Sequence, residues 1–323
     1  MDGTRYLLSA VGTGAAPALR GGAWIAALSF CLAGCNLPGL LIRGTVDSTR
    51  EFADERGTHF ADPETIGPVV ATATVTNEGL MYFVPDYEPL LMSAVFSNVA
   101  YGVGWLQAES AQLELDGDFD KAEKINQRSA IMFARALFYA KKLLRLRDDN
   151  FDAAITSGLD TFKVWVDEQF YTEDDVEPLV TAALAFLVSM INSEEGLAAA
   201  VDLPYARYML ERSIELDPEY EGGQATMLIG VIECTMPQAV GGRPKLGLKL
   251  MERALALENR GNHSILISMA ERCAVALQDR ELYVRLLMEV IESGDVEEYR
   301  LPNKLARRNA ERLLKQVDEF FYD

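Results

Sequence analysis

The chain has 323 residues, which is enough for one large domain or a stacked helical array. Hydrophobic residues make up 49% and charged residues 24%, an ordinary globular composition that excludes wholesale disorder. The formal net charge of -19 makes the surface repel phosphate backbones and argues against nucleic-acid binding.

An export signal is predicted over residues 1–34. Arg20 is followed by the uncharged, mostly apolar stretch 21–32 and then by small residues, which is the pattern of a signal peptide. The apolar run is shorter than the roughly 20 residues that a transmembrane helix needs.

Leu32-Ala33-Gly34-Cys35 resembles the bacterial lipobox, in which the cysteine thiol receives diacylglycerol. Because each buried methylene contributes about 0.8 kcal/mol, two or more acyl chains on Cys35 would hold the protein on a membrane. Asn36 is not the aspartate associated with inner-membrane retention, so we expect a periplasmic protein anchored to the outer membrane of a Gram-negative bacterium. The alternatives are an uncleaved anchor or a chance match.

Residues 35–62 are interpreted as the lipidated N-terminus and a linker, because they mix Gly, Thr, Asp and Arg without a sustained apolar period. Residues 63–323 are predicted to form one tetratricopeptide-like helical domain. The β-branched stretch 69–81 is the least certain of its helices.

The predicted fold is all-α, with antiparallel helical hairpins stacked in a degenerate tetratricopeptide-like array. Long helices are predicted over 88–115 and 119–147. Later candidates are 149–170, 173–192, 202–216, 219–235, 243–259, 262–277, 279–292 and 302–321.

Short repeat traces support this architecture. The run 117–122, with Gly117, Phe119 and Ala122, resembles the tetratricopeptide turn, and Asp217-Pro218 resembles the end of a repeat helix. The repeats are degenerate, because Leu216 and Leu257 stand 41 residues apart whereas the strict repeat is about 34.

Few residues suggest catalysis or metal binding. His59 and His263 are the only histidines, and neither has cysteines or carboxylates at metal-ligand spacing. The run 116–120 resembles the start of a calcium loop but has Lys121 and Gln127 where glycine and glutamate are required. We therefore predict a non-enzymatic protein without metal or cofactor.

Cys234 and Cys273 lie in predicted helices of the folded body. In an oxidising compartment they could form a disulfide, whereas apolar-flanked cysteines in helices are more often simply buried. The sequence leaves both alternatives open.

Two groups of residues are candidates for binding. Five aromatic residues are predicted to line a groove for an apolar ligand, with ordinary core packing as the alternative; they are Trp105, Phe138, Tyr139, Trp165 and Tyr171. Four basic residues along one face of the last helix are predicted to dock an acidic partner, with a solvent-facing stripe as the alternative; they are Lys304, Arg308, Arg312 and Lys315.

The order of motifs in the carboxyl-terminal half resembles the TatT family, the T component of tetratricopeptide-associated TRAP transporters. The pieces are Asp202-Leu203-Pro204, Leu210-x-Arg212-Ser213-Ile214-x-Leu216-Asp217-Pro218, Gly222-Gly223, Gly241-Gly242, Glu252-Arg253-Ala254-Leu255, Ala270, Asp279-Arg280 and Leu286-Leu287. Most specific are Arg300-Leu301-Pro302-Asn303 and the following 307–314, which resemble the family's closing pattern. The aromatic residues expected near 175–182 are absent.

This resemblance implies an extracytoplasmic lipoprotein that binds the solute-binding protein of a TRAP transporter. It also implies a possible small hydrophobic organic ligand and a possible homo-oligomer. The alternative is a generic tetratricopeptide lipoprotein that acts as a scaffold for envelope protein assembly.

Overall fold

The computed structural model describes residues 37–56, 62–191 and 202–321, and within these ranges every regular element is helical. The all-α prediction is confirmed for this part of the chain. The helices are α1 (Leu37–Arg56), α2 (Pro63–Met81), α3 (Glu88–Leu115), α4 (Phe119–Arg145), α5 (Phe151–Thr156), α6 (Leu159–Gln169), α7 (Val176–Ile191), α8 (Leu203–Leu216), α9 (Tyr220–Thr235), α10 (Pro244–Leu257), α11 (263–277), α12 (Arg280–Glu292), α13 (Arg300–Lys315) and α14 (Val317–Phe320). Cys35 and His59 lie outside the described residues.

Helices adjacent in the chain pack side by side over most of the fold, with α9 against α10 as the most extensive pair. Short π-helical segments interrupt α3 at Gly102–Gln107 and α11 at Met269–Ala274. The tetratricopeptide arrangement of these hairpins remains a prediction.

Helix α3 forms the centre of the N-terminal half. Its side chains pack against α2, α4 and α7, and Leu90, Leu91, Ala94 and Val95 are fully buried. Among the described helices, only this one has the length and mean hydropathy of a membrane span, and 56% of its apolar window is buried inside the fold. Its apolar character is accounted for by its central position in the core.

The predicted linker differs from the structure, because α1 makes a helix of its residues 37–56. Val46 is buried, and Arg50 donates to Pro89 O at 3.3 Å and pairs with Glu177 of α7. Tyr87 donates a hydrogen bond to Asp47. These tertiary contacts stabilise a helix whose Gly and Thr residues have low intrinsic helix propensity.

The single helix predicted over 149–170 is divided into α5 and α6. Gly158 has φ +105°, a left-handed conformation that glycine adopts without the steric cost of a Cβ, and it ends the helical backbone between them. Aromatic side chains from both short helices then pack together around Trp165.

The C-terminal half depends on a close approach of α9 and α10. A Cβ on Gly247 of α10 would lie 2.6 Å from Gly230 O and 2.4 Å from Cys234 Sγ of α9. The two helices can therefore approach this closely only because Gly247 faces Gly230. Cys234 forms a disulfide with Cys273, which answers the question that the sequence left open. The bond links α9 to the π-helical segment of α11 within the buried hydrophobic cluster of the C-terminal helices.

Candidate functional site

The first and last parts of the helical body meet in space. The guanidinium of Arg308 on α13 pairs with the carboxylate of Glu64 in the first turn of α2. Leu305 Cδ1 lies 3.6 Å from the position of a Cβ on Gly104 in α3. We call this contact region the closing seam and define it by Glu64, Gly67, Gly104, Trp105, Leu305 and Arg308.

Trp105 anchors the closing seam from the π-helical segment of α3. Its Nε1 donates a hydrogen bond of 3.0 Å to Pro63 O at the start of α2. A π-helical turn adds a residue to the helix and changes the direction of the side chains that it contains, and such turns are frequent at functional sites. Here the turn presents the indole to α2.

Gly67 is the residue on which this contact depends. Its missing side chain leaves room for the indole, since a Cβ would lie 2.5 Å from Trp105 Nε1. We expect Gly67→Ala to displace the indole and to lower the free energy of unfolding by about 1–3 kcal/mol, the usual cost of overpacking. Urea denaturation measures the loss of stability, and Trp105 emission in a background without the other two tryptophans, Trp24→Phe with Trp165→Phe, measures the displacement.

Gly79→Ala on the same helix is the matched control, because a Cβ there meets no heavy atom within 4 Å. It should be neutral or stabilising by up to about 1 kcal/mol through helix propensity. Equal stability of the two variants would contradict this role of Gly67.

Next to the closing seam, α2 presents an uncharged surface that we call the α2 outward face. Val69 and Val75 are 59% and 69% exposed. Pro68, Thr72 and Thr76 are exposed beside them, on successive turns of the helix. A helical surface of this length without an exposed charge is unusual in a chain of net charge -19, and depletion of charge characterises the centre of protein interfaces.

The four residues of the predicted basic stripe on α13 lie in three environments. Lys304 and Lys315 are exposed. Arg308 lies in the closing seam. The side chain of Arg312 is 14% exposed and donates to Gln316 at 2.9 Å and to Glu271 at 3.5 Å, which turns it towards the protein. Of the four residues, Arg308 is the one that contacts α2, through Glu64 at the start of that helix.

The five predicted aromatic residues lie in different environments. Phe138 and Tyr171 are 60% and 68% exposed, whereas Trp165 is buried among Phe151, Phe162 and Phe170, and Trp105 is in the closing seam. Among the five, a ring contact joins only Phe138 to Tyr139, with centroids 5.2 Å apart. Burial, followed by a hydrogen bond and the charge of Glu78, raises the pKa of the Tyr139 hydroxyl. Their role in ligand binding remains a prediction.

Sequence reasoning missed Glu64, Gly67, Val69 and Val75. The available signal was the complete lack of Asp, Glu, Lys and Arg between Thr65 and Asn77, in a chain with 24% charged residues. Because these positions form a helical face, the uncharged stretch becomes an uncharged surface.

Several motif residues of the C-terminal half stabilise turns between helices or, at Gly222 and Gly223, the non-helical first turn of α9. Gly222 and Gly223 have φ +63° and +77°, and a Cβ on Gly222 would overlap the Glu258 side chain. A Cβ on Gly242 would lie 1.9 Å from Met236 O. Asp279 accepts a hydrogen bond from Leu282 N at 2.9 Å and thereby caps α12.

Asn303, in the closing motif, has a similar structural role. It is 8% exposed; its Oδ1 accepts from His263 N at 2.9 Å, and its Nδ2 donates to Gly261 O at 2.8 Å. The amide thus joins α13 to the turn that begins α11. Burial, followed by the charge of Arg307, lowers the pKa of the His263 imidazole beside it.

We expect Asn303→Ala to cost about 1–3 kcal/mol of unfolding free energy, because two buried backbone groups lose their partners. Asn309→Ala, on a half-exposed position of the same helix, should change it by about 0.5 kcal/mol or less. The measurement is the urea midpoint of both variants, and an equal effect would show that the bridging amide has no special importance.

Among residues 37–56, 62–191 and 202–321, no group of three His, Cys, Asp or Glu is placed to hold a metal ion.

Comparison with known proteins identifies the family of the chain. A model of the TRAP transporter T-component family matches residues 60–321, from just before α2 to the end of the described body. No individual curated protein matches the chain. The match includes the closing seam, the α2 outward face and the turn motifs, and it places the protein in the cell envelope as an accessory component of a transporter. The chain therefore belongs to the TRAP transporter T-component family.

Proposed function

We propose that this chain is a lipid-anchored extracytoplasmic subunit that binds the solute-binding protein of its TRAP transporter. The observation that supports this most strongly is the family match across nearly the whole helical body. The Cys234–Cys273 disulfide also supports it, because stable disulfides belong to oxidising compartments such as the periplasm.

The α2 outward face is the docking surface that we favour for the solute-binding protein. Its exposed valines and threonines provide an uncharged centre, and the ion pair between Arg308 of α13 and Glu64 of α2 provides a charged border. An apolar centre with a polar periphery is the usual anatomy of a specific protein interface.

Co-purification tests this assignment. The tagged full-length chain should retain the solute-binding protein produced from the same transporter genes. Val69→Glu and Val75→Glu should each weaken the complex at least about tenfold, since each would place an unpaired carboxylate at the centre of the interface.

Val164→Glu is the matched control, because Val164 is 57% exposed on α6 and distant in the chain from α2. It should bind like the unaltered protein. Unchanged binding by both α2 variants would exclude the α2 outward face. Failure of the unaltered protein to bind any solute-binding protein, together with capture of an unrelated peptide, would favour the envelope-assembly scaffold instead.

The anchor at Cys35 is tested separately. Mass spectrometry of the mature protein should find Cys35 as the first residue with diacylglycerol attached, and Cys35→Ser, which has no thiol to acylate, should lose both this modification and the attachment to the outer membrane. An unmodified cysteine in the mature protein would exclude the anchor.

A small hydrophobic ligand and a homo-oligomer form the remaining part of the proposal. Phe138 and Tyr171 are the two predicted aromatic residues with most of their surface available to a ligand. Native mass spectrometry of the full chain detects both bound mass and subunit number, and a bare monomer would exclude both.

A further inference from the structure

Helix α1 presents a second uncharged surface at the end of the chain nearest to the proposed anchor. Leu40 and Leu41 are 63% and 64% exposed. They line one shallow surface depression with four small or hydroxylated residues, and we call this surface the α1 face: Leu40, Leu41, Gly44, Thr45, Ser48 and Thr49.

The opposite side of α1 is attached to the body, so the α1 face has a fixed direction. Val46 is buried, Arg43 lies over the Tyr87 ring at 4.7 Å, and Arg50 contacts α3 and α7. Tyr87 also donates to Asp47. A helix held by these contacts cannot turn its leucines towards the core.

The position of α1 in the chain places the α1 face close to the proposed lipid anchor. Cys35 precedes Leu37 by two residues, so the start of α1 lies within about 7 Å of the lipidated residue. Leu40 and Leu41 follow within the first turns, at about 1.5 Å of rise per residue. The glycerol of a lipidated cysteine lies at the bilayer surface, and the leucines are therefore brought to that surface.

The low charge of the first half of α1 also favours contact with a lipid surface. The whole chain has 49 acidic and 30 basic residues, yet residues 37–46 contain no acid and one base, Arg43. An anionic lipid surface repels the acidic body but not this segment. Removal of leucine side chains from water is favourable, and two adjacent exposed leucines on one face favour a single orientation of that face towards the bilayer.

We propose that the α1 face lies against the lipid bilayer beside the anchor, so that Leu40 and Leu41 enter the interface and set the orientation of the body on the membrane. This inference rests on the proposed lipidation of Cys35. It makes α1 a rigid joint between anchor and body.

The test uses the full-length, lipidated protein in vesicles of phosphatidylethanolamine and phosphatidylglycerol. An environment-sensitive fluorophore is attached at Leu41→Cys, and in the control at Val240→Cys, which is 64% exposed in the turn between α9 and α10. Cys234 and Cys273 do not react because they are disulfide-bonded. Nitroxide-labelled lipid should quench the probe at 41 several-fold more than the probe at 240.

Leu40→Asp beside the probe should reduce the quenching at position 41 while the protein still floats with the vesicles. Flotation with equal quenching at 41 and 240 would overturn the α1 proposal and leave the anchor intact. If the probe at 41 is already shielded from water before vesicles are added, the α1 face is covered by protein and not by lipid, and the proposal is overturned. Loss of flotation together with an unmodified Cys35 would overturn the anchor and the α1 proposal with it.

Discussion

Replacement of both disulfide cysteines, as Cys234→Ala with Cys273→Ala, should lower the free energy of unfolding by about 4 kcal/mol. The bond joins positions 39 residues apart and closes a loop that contains all of α10. For a loop of this length, the chain-entropy account gives about 4 kcal/mol of destabilisation of the unfolded state. Alanine is chosen because the cysteines are 3% and 0% exposed, and serine would add buried hydroxyl groups.

Urea denaturation of the oxidised protein and of the double variant measures this difference. The oxidised protein unfolded in urea with a reductant is the control, and it should approach the midpoint of the variant. A difference below about 1 kcal/mol would show that the close packing of α9 and α10 holds the loop without the bond. Protein made in a reducing cytoplasm should show the lower stability, which connects this bond to an extracytoplasmic location.

Glu233→Gln should be the second large effect, at about 3 kcal/mol near neutral pH. Glu233 is fully buried; it accepts from Arg207 Nη1 at 2.8 Å and from Arg243 Nη2 and Nε at 2.6 and 2.9 Å. Removal of one partner of a buried ion pair costs about 3–5 kcal/mol. The lower end applies because Arg207 and Arg243 are 23% and 61% exposed and water reaches both.

The effect of Glu233→Gln should also depend on pH. Burial disfavours the carboxylate, but the hydrogen bonds from Arg243 and Arg207 outweigh burial and lower the pKa of Glu233 below its ordinary value of 4.5. A depressed pKa contributes stability that is complete above the unfolded-state pKa and is lost as the pH falls through the folded-state pKa. The difference in unfolding free energy between the unaltered protein and the variant should therefore be constant near neutral pH and shrink below about pH 4.5.

Glu311→Gln, at an exposed position of α13, is the control and should change stability by about 0.5 kcal/mol or less at neutral pH. Both the size and the pH dependence of the Glu233→Gln effect are measured by the unfolding midpoints of the unaltered protein and both variants across the pH range. A difference for Glu233→Gln that persisted unchanged into acid would show that packing, and not the charge, connects α8, α9 and Arg243.

Most helices could be predicted from the sequence because their periodicity is local. The stretch 88–115 carries an apolar pattern ended by Asp116-Gly117, and the structure has α3 as Glu88–Leu115. The order of turn motifs was also sufficient for the family, since Asn303 and the glycine pairs form close contacts that admit few substitutes. The repeat class and the anchor at Cys35 remain predictions.

The candidate site was less predictable. Trp105 and Arg308 were selected for different reasons, as a ligand residue and a partner residue. Both contact the start of α2, Trp105 through Pro63 and Arg308 through Glu64, only because α3 and α13 each pack against that helix. Trp165 was selected for a groove but is buried by aromatic neighbours. A side chain's type indicates what it can bind, whereas its exposure depends on which distant helix covers it.

The sequence by itself determined the helices, the acidic surface and the family, because each follows from residues that are close in the chain or from composition. Only the tertiary structure decided the helical state of α1, the pairing of Cys234 with Cys273 and the closing seam. The physical reason is that these features depend on contacts between distant segments: Arg308 and Glu64 are 244 residues apart, and no local pattern specifies that α13 packs against α2.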